Sequence, residues 1–186
     1  MHTSPNSADG FPVLGFNRRR RPAVAALAMS LVLGLALAGV AVATGPVTHS
    51  VSAGGPDTCR SVLEAHPGCD GNYSLSAILY ADGSVTGQYV DRFARGGGFR
   101  AVIDCLVVDG QYAWVSGVIA RGSFTDPETG EVFDLAGLDL SARLYDGTPD
   151  GLADQISFSN IGQEIPCTDQ ADFEMFEVTE GQVTIH

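Results

Sequence analysis

The sequence predicts an all-β fold: an antiparallel meander closed as a barrel or sandwich of about six to eight strands, after an N-terminal signal or anchor helix. Three observations carry this expectation. From residue 73 onward, short apolar alternations are separated by Gly, Asp and Pro, which is the punctuation of strands and turns. Asp82-Gly83 and Asp109-Gly110 each sit between alternating runs, where Asp-Gly tolerates the positive φ of a tight hairpin. Little of this region repeats with helical periodicity.

Taken in order, the first strand is expected at 73–80, where Tyr73, Leu75, Ala77 and Leu79 alternate with Ser74 and Ser76. Residues 85–93 pair back on it, with Val85 and Tyr89 on one face and Gly87 easing the bend. Gly96-Gly97-Gly98 reads as a loop. A phosphate cradle would need a strand before it and a helix after it, and Phe99-Arg100-Ala101-Val102-Ile103 is a strand pattern. Residues 99–108 and 112–121 flank Asp109-Gly110-Gln111, and their apolar density places this hairpin at the centre of the sheet. Trp114, the one tryptophan, is assigned to the core rather than to a ligand platform. After a turn at 126–130, residues 132–145 carry Leu138, Leu140, Ala142 and Leu144 in period-two register and should bury one face. Residues 155–161 form another strand, with Ile156 and Phe158 pointing together, and 181–185 form the last one. Tight turns favour a meander, and closure into a barrel removes exposed edges.

The first 43 residues read as a targeting segment. Arg18, Arg19, Arg20 and Arg21 precede an apolar run at 23–43, and Ala41-Val42-Ala43 is an A-x-A cleavage pattern. A run of roughly 20 apolar residues also suffices to span a bilayer, so an uncleaved anchor is the alternative to a cleaved signal. Either way the arginines stay on the cytoplasmic side and the rest of the chain is exported. The expected organisation is a signal peptide or membrane anchor at 1–43, a flexible linker and cysteine loop at 44–72, and a β domain at 73–186. Residues 47–57 are assigned to the linker because they are rich in Ser, Gly and Pro.

Cys59, Cys69, Cys105 and Cys167 all follow the apolar run. An even number in an oxidising compartment suggests two disulfides. Four cysteines allow three pairings; the expected one is Cys59–Cys69, closing a short loop, with Cys105–Cys167, tying a central strand to a late one. A zinc site is disfavoured because no CxxC occurs and His66 is the only histidine near a cysteine. The chain has no lysine. Its formal charge of −12 becomes about −15 once Arg18–Arg21 and Asp9 are set aside with the first 43 residues. Such a charge opposes nucleic acid and anionic membrane surfaces, leaving the N-terminal segment, if uncleaved, as the only membrane contact.

Asp104-Cys105-Leu106-Val107-Val108-Asp109-Gly110, followed by Ala113, Ser116-Gly117 and Ile119, resembles a recurrent hairpin in exported, uncharacterised bacterial proteins, D-C-L-x-V-x-G-x-x-A-x-x-S-G-x-I. Asp146-Gly147, Asp154-Gln155-Ile156-Ser157, Cys167 and the terminal Gly181-x-Val183 fit the same pattern. In its strand grammar the chain is also similar to the post-COAP type of secreted β domain. The resemblance spans roughly 75–185 and implies a compact, exported, often disulfide-linked β-barrel or sandwich. It brings no catalytic residues with it.

The residues themselves point away from catalysis. A Ser-His-Asp or Cys-His arrangement needs a histidine inside the fold, whereas His49, His66 and His186 fall in the linker, the cysteine loop and the terminus. No G-x-S-x-G, H-E-x-x-H or P-loop occurs. Among the acids that a carboxylate enzyme would use, Asp91, Asp104, Glu131 and Asp139, Asp104 stands out because it precedes Cys105 in an apolar strand. The one pattern with cation chemistry is Asp146-Gly147-Thr148-Pro149-Asp150-Gly151-Leu152-Ala153-Asp154. Its acids Asp146, Asp150 and Asp154 on a tightly turning loop offer the oxygen ligands that Ca²⁺ needs. An EF-hand is rejected: Thr148 and Ser157 stand at the third and twelfth positions, and flanking helices are not expected. An ordinary polar turn is the alternative. The expected role is a non-catalytic extracellular module for binding or envelope structure, with no cofactor beyond possible Ca²⁺. The alternatives are a carrier of a small apolar ligand inside the barrel and a carboxylate-based enzyme.

Overall fold

Alternation between inward apolar and outward polar side chains builds most of the described sheet, and it begins earlier than composition suggests. The computed structural model describes residues 45–56, 71–93, 96–126, 128–178 and 180–186. The expected signal or anchor and the expected Cys59–Cys69 bridge lie outside them. Strands β1 (Val47–Pro56), β2 (Asn72–Tyr80), β3 (Val85–Arg92), β4 (Gly97–Asp109) and β5 (Tyr112–Thr125) pair one after another, all antiparallel. The far end of β5 pairs with β6 (Val132–Asp134), and its near end with β7 (Asp139–Tyr145). The short β8 (Gln155–Ser157) and β9 (Asn160–Ile161) both add to β7. Then β10 (Met175–Glu177) adds to β8, and β11 (Gln182–Ile185) returns to β1. The result is one curled antiparallel sheet, a half-barrel in the order β10-β8-β7-β5-β4-β3-β2-β1-β11. Helical structure among the described residues is limited to two 3₁₀ turns, Thr148–Asp150 and Cys167–Asp169.

The all-β meander is therefore what the sequence implies, but the described residues form eleven strands rather than six to eight, and four differences have physical causes. Residues 47–56 are a strand, not a linker. Val51 and Ala53 alternate into the core, and the small residues between them fit because β1 has neighbours on both sides. The triple glycine is only partly a loop, since Gly97 and Gly98 open β4. The run at 132–145 breaks into β6 and β7 around Gly137, at φ 81°. The run at 155–161 breaks at residues 158–159. There Ile156 enters the core while Phe158 turns outward and packs on Phe176, with ring centroids 4.5 Å apart.

The turns use the expected chemistry. Gly83 and Gly110 adopt φ of 81° and 58°, and Asp82 accepts the Ser84 amide at 2.9 Å. At the 126–130 turn, Asp126 accepts the amides of Glu128 and Thr129. Those two donations, that of Thr129 first, hold its carboxyl below the usual carboxylate range.

Among the described residues, the centre of the inner face is filled. Ala101, Ile103, Ala113, Val115, Ala142 and Leu144 are 0 % exposed and belong to one cluster with Tyr73, Leu75, Tyr89, Phe99 and Leu140. A side chain bordering a water-sized void keeps surface open to it, so these residues leave no such void beside them. Burying each large aliphatic contributes about 1.5–3 kcal/mol. The strands approach closely at Gly117, where a Cβ would lie 2.0 Å from the Val102 carbonyl oxygen. Bulges in the β4–β5 pairing, at Arg100/Ala101 and Ile103/Cys105, bend the hairpin around this core.

Candidate functional site

Leaving β7 at Tyr145, the chain must turn back to form β8, and Gly147, Pro149 and Gly151 make that reversal tight. The 3₁₀ turn at Thr148–Asp150 ends on Gly151 at φ 69°. This brings Asp146 and Asp154 together against β11. Asp146 Oδ1 accepts the Thr148 amide at 3.1 Å, and its Oδ2 accepts the Ile185 amide at 3.1 Å. Asp154 Oδ1 accepts the Gly147 amide at 3.0 Å and the Thr148 hydroxyl at 3.3 Å, and Oδ2 accepts the Val183 amide at 2.7 Å. Val183 and Ile185 are the alternate residues of β11 whose N–H groups point away from β1, whereas His186 exchanges both backbone bonds with Ser50 of β1. The two carboxylates thus stand where the next strand of a closed barrel would be. A buried amide left unpaired costs about 1–3 kcal/mol, so this edge needs them.

Of the three acids expected to hold Ca²⁺, Asp146 and Asp154 converge and Asp150 does not. Asp150 accepts the Tyr145 hydroxyl at 3.4 Å. Burial of Tyr145, and next the Asp150 charge, push the Tyr145 phenol above its ordinary range. Among the described residues, no three His, Cys, Asp or Glu side chains stand close enough together to hold a metal ion. The Asp146 and Asp154 oxygens already accept backbone amides, for which a cation would have to compete. Exchanging millimolar Ca²⁺ for a chelator should therefore shift the thermal midpoint by less than about 1 °C, because a ligand stabilises only through binding to the native state. A calcium-dependent heat that Asp150→Ala abolishes would establish the cation loop.

On the outer face, Cys105 pairs in register with Ser116 and is bonded to Cys167, with the Cα atoms 5.9 Å apart. This expected disulfide straps the segment around the 3₁₀ turn at Cys167–Asp169 across β4 and β5. The Cys167 amide donates to Ser116 Oγ at 3.2 Å, and Trp114 Nε1 donates to the Ala171 carbonyl at 3.0 Å. Trp114 is accordingly buried, but under this strap rather than in the inner core. Beside it the Arg143 guanidinium lies 4.6 Å from the Tyr112 ring centroid and pairs with Asp172.

A cleft of about 250 Å³ opens next to the disulfide, lined by Asp104, Asp139, Glu164, Val118 and Pro166 among others. It gathers two of the acids named from the sequence, Asp104 and Asp139, with Glu164. Asp91 is instead buried, facing the core side of β3, and Glu131 is exposed in a turn. His49 lies on β1 and His186 follows β11, so neither enters the core. Glu164 carried no sequence signal, since only the strap brings it to β4 and β7. The chain matches no family model, no curated protein and no solved structure.

Proposed function

We propose that this chain is an exported, non-catalytic β module that works through its outer surface, in binding or in envelope structure. The observation that supports the proposal most is the complete burial of the central inner-face side chains among the described residues. A carrier of a small apolar ligand needs an interior cavity, and these residues enclose core instead. The Cys105–Cys167 strap supports the export part, because such bridges persist in oxidising compartments. Arg18–Arg21 and the apolar run after them support it independently. An enzyme acting through Asp104, Asp139 and Glu164 is the second reading, since all three line one cleft.

Mass spectrometry of the native N-terminus tests the proposal. A chain beginning at Thr44 in the medium means a released module, and an intact Arg18–Arg21 segment in the membrane fraction means a tethered one. Full-length protein confined to the cytosol would overturn export and the module with it.

A further inference from the structure

In a chain with so many more acids than bases, most guanidinium groups should find a carboxylate. Arg143 does. Among the described residues, Arg92, Arg100 and Arg121 form no ion pair. All three are exposed and lie on the outward-facing positions of β3, β4 and β5. The pairing makes them neighbours. Arg100 is directly opposite Arg121, and Val90, two residues before Arg92, is directly opposite Arg100. Opposed side chains in an antiparallel pair stand about 5 Å apart, and diagonal ones about 7–8 Å. Like charges directly opposed destabilise a sheet, yet here two guanidinium groups face each other while carboxylates are plentiful elsewhere.

Among the described residues, the surroundings orient this strip and leave its guanidinium groups exposed. Arg100 Nη2 donates to Gln88 Oε1 at 2.9 Å. The outward acid nearest on β6 is Asp134, which is opposite Ser123 and accepts the Ala136 amide. Asp104 lies on the far side of Val102, in the separate acidic cleft. Around the arginines the outward positions are Asn72, Ser74, Gln88, Val90, Val102 and Ser123, four of which carry hydroxyl or amide groups, with Asp134 diagonal to Arg121 as the one acid beside the strip among the described residues.

We propose that Arg92, Arg100 and Arg121 form a binding strip for an acidic polysaccharide, a sugar chain with spaced carboxylates; this rests on the reading of the chain as an exported binding module. Guanidinium forks match carboxylates two bonds at a time, and the flanking Asn and Ser side chains hydrogen-bond sugar hydroxyls. Charge density selects against the alternatives. Duplex DNA carries one charge per about 1.7 Å, and a strongly acidic protein repels so dense a polyanion or an anionic membrane. A chain with one carboxylate per sugar is less densely charged and meets the three arginines at a smaller penalty.

Titration calorimetry of the full chain in mild detergent with polygalacturonate oligomers tests this. Binding is expected at low salt, weakening as salt rises, and R100Q/R121Q should weaken it about tenfold or more. Both residues are exposed, so far-UV circular dichroism of this variant should match the parent. Q182E/T184E, which lowers the charge by the same amount on β11 beyond β1 and β2, should change affinity less than about twofold. Absence of binding, equal weakening in both variants, or preferential binding of duplex DNA or phosphatidylglycerol vesicles would each overturn the glycan assignment. A chain that is exported but binds no glycan leaves the module reading standing, whereas retention in the cytosol removes that reading whatever the calorimetry gives.

Discussion

Replacing Asp154 by alanine should lower stability by roughly 3 kcal/mol, because three hydrogen bonds to one charged group are lost together and such bonds are strong but not additive. In a domain of this length that corresponds to a fall of about 10 °C in the thermal midpoint. The removed carboxylate accepts from Gly147 and Thr148 within its own loop, and from Val183 on β11. Local and long-range order therefore fail together. Hydrogen exchange gives the position of the damage: the Val183 amide should lose protection first, while the β4–β5 hairpin keeps its own. Asp150→Ala is the internal control, since Asp150 makes only the 3.4 Å contact with Tyr145, and its cost should stay below about 0.5 kcal/mol. If the two variants melt at the same temperature, the carboxylate seam is not what holds β11.

The Cys105→Ser/Cys167→Ser double variant should lose about 4 kcal/mol, the chain-entropy expectation for a bridge spanning 62 residues. The thermal midpoint would drop by about 15 °C. Replacing both cysteines avoids leaving one reactive thiol. Trp114 provides a readout that needs no label, being the only tryptophan and lying beneath the strap with its Nε1 on the Ala171 carbonyl. Released from Cys105, the segment no longer covers Trp114 continuously, and its fluorescence should shift to the red below the melting transition. Unchanged emission with a lowered midpoint would mean that the bridge acts on the unfolded chain alone. An unchanged midpoint would remove its structural role.

Much of the architecture is legible residue by residue. Tyr73, Leu75 and Ala77 alternate in the sequence and are buried in the structure, because a strand turns successive side chains to opposite faces whatever lies beyond it. Asp82-Gly83 and Asp109-Gly110 mark their turns because positive φ is a local requirement. Residues 47–56 show the limit. Their Ser, Gly and Pro content resembles that of a linker, and only pairing with β2 and β11 makes them a strand. Propensity is weak where side chains are small, so tertiary neighbours decide.

The site follows the same division. The loop at 146–154 is conspicuous in the sequence, but oxygen-rich turns look alike whether they meet a cation or an amide. The partners that decide its role, Val183 and Ile185, lie 29 and 39 residues away. Glu164 joins Asp104 and Asp139 only because the strap crosses β4 and β5. Arg92, Arg100 and Arg121 become one strip only through the register of three strands, which a bulge resets between Arg100 and Ala101.

By itself, then, the sequence determined an all-β antiparallel meander and most of its turns, and it made Cys105–Cys167 the expected bridge among three possible pairings. Each depends on period-two patterning, on turn residues, or on the number and spacing of cysteines. The tertiary structure alone decided that 47–56 is a strand, that Asp146 and Asp154 close the sheet onto β11, and which charges become neighbours. Those outcomes depend on strand register and long-range hydrogen bonding, and short-range preferences in the chain do not encode which distant group a side chain will meet.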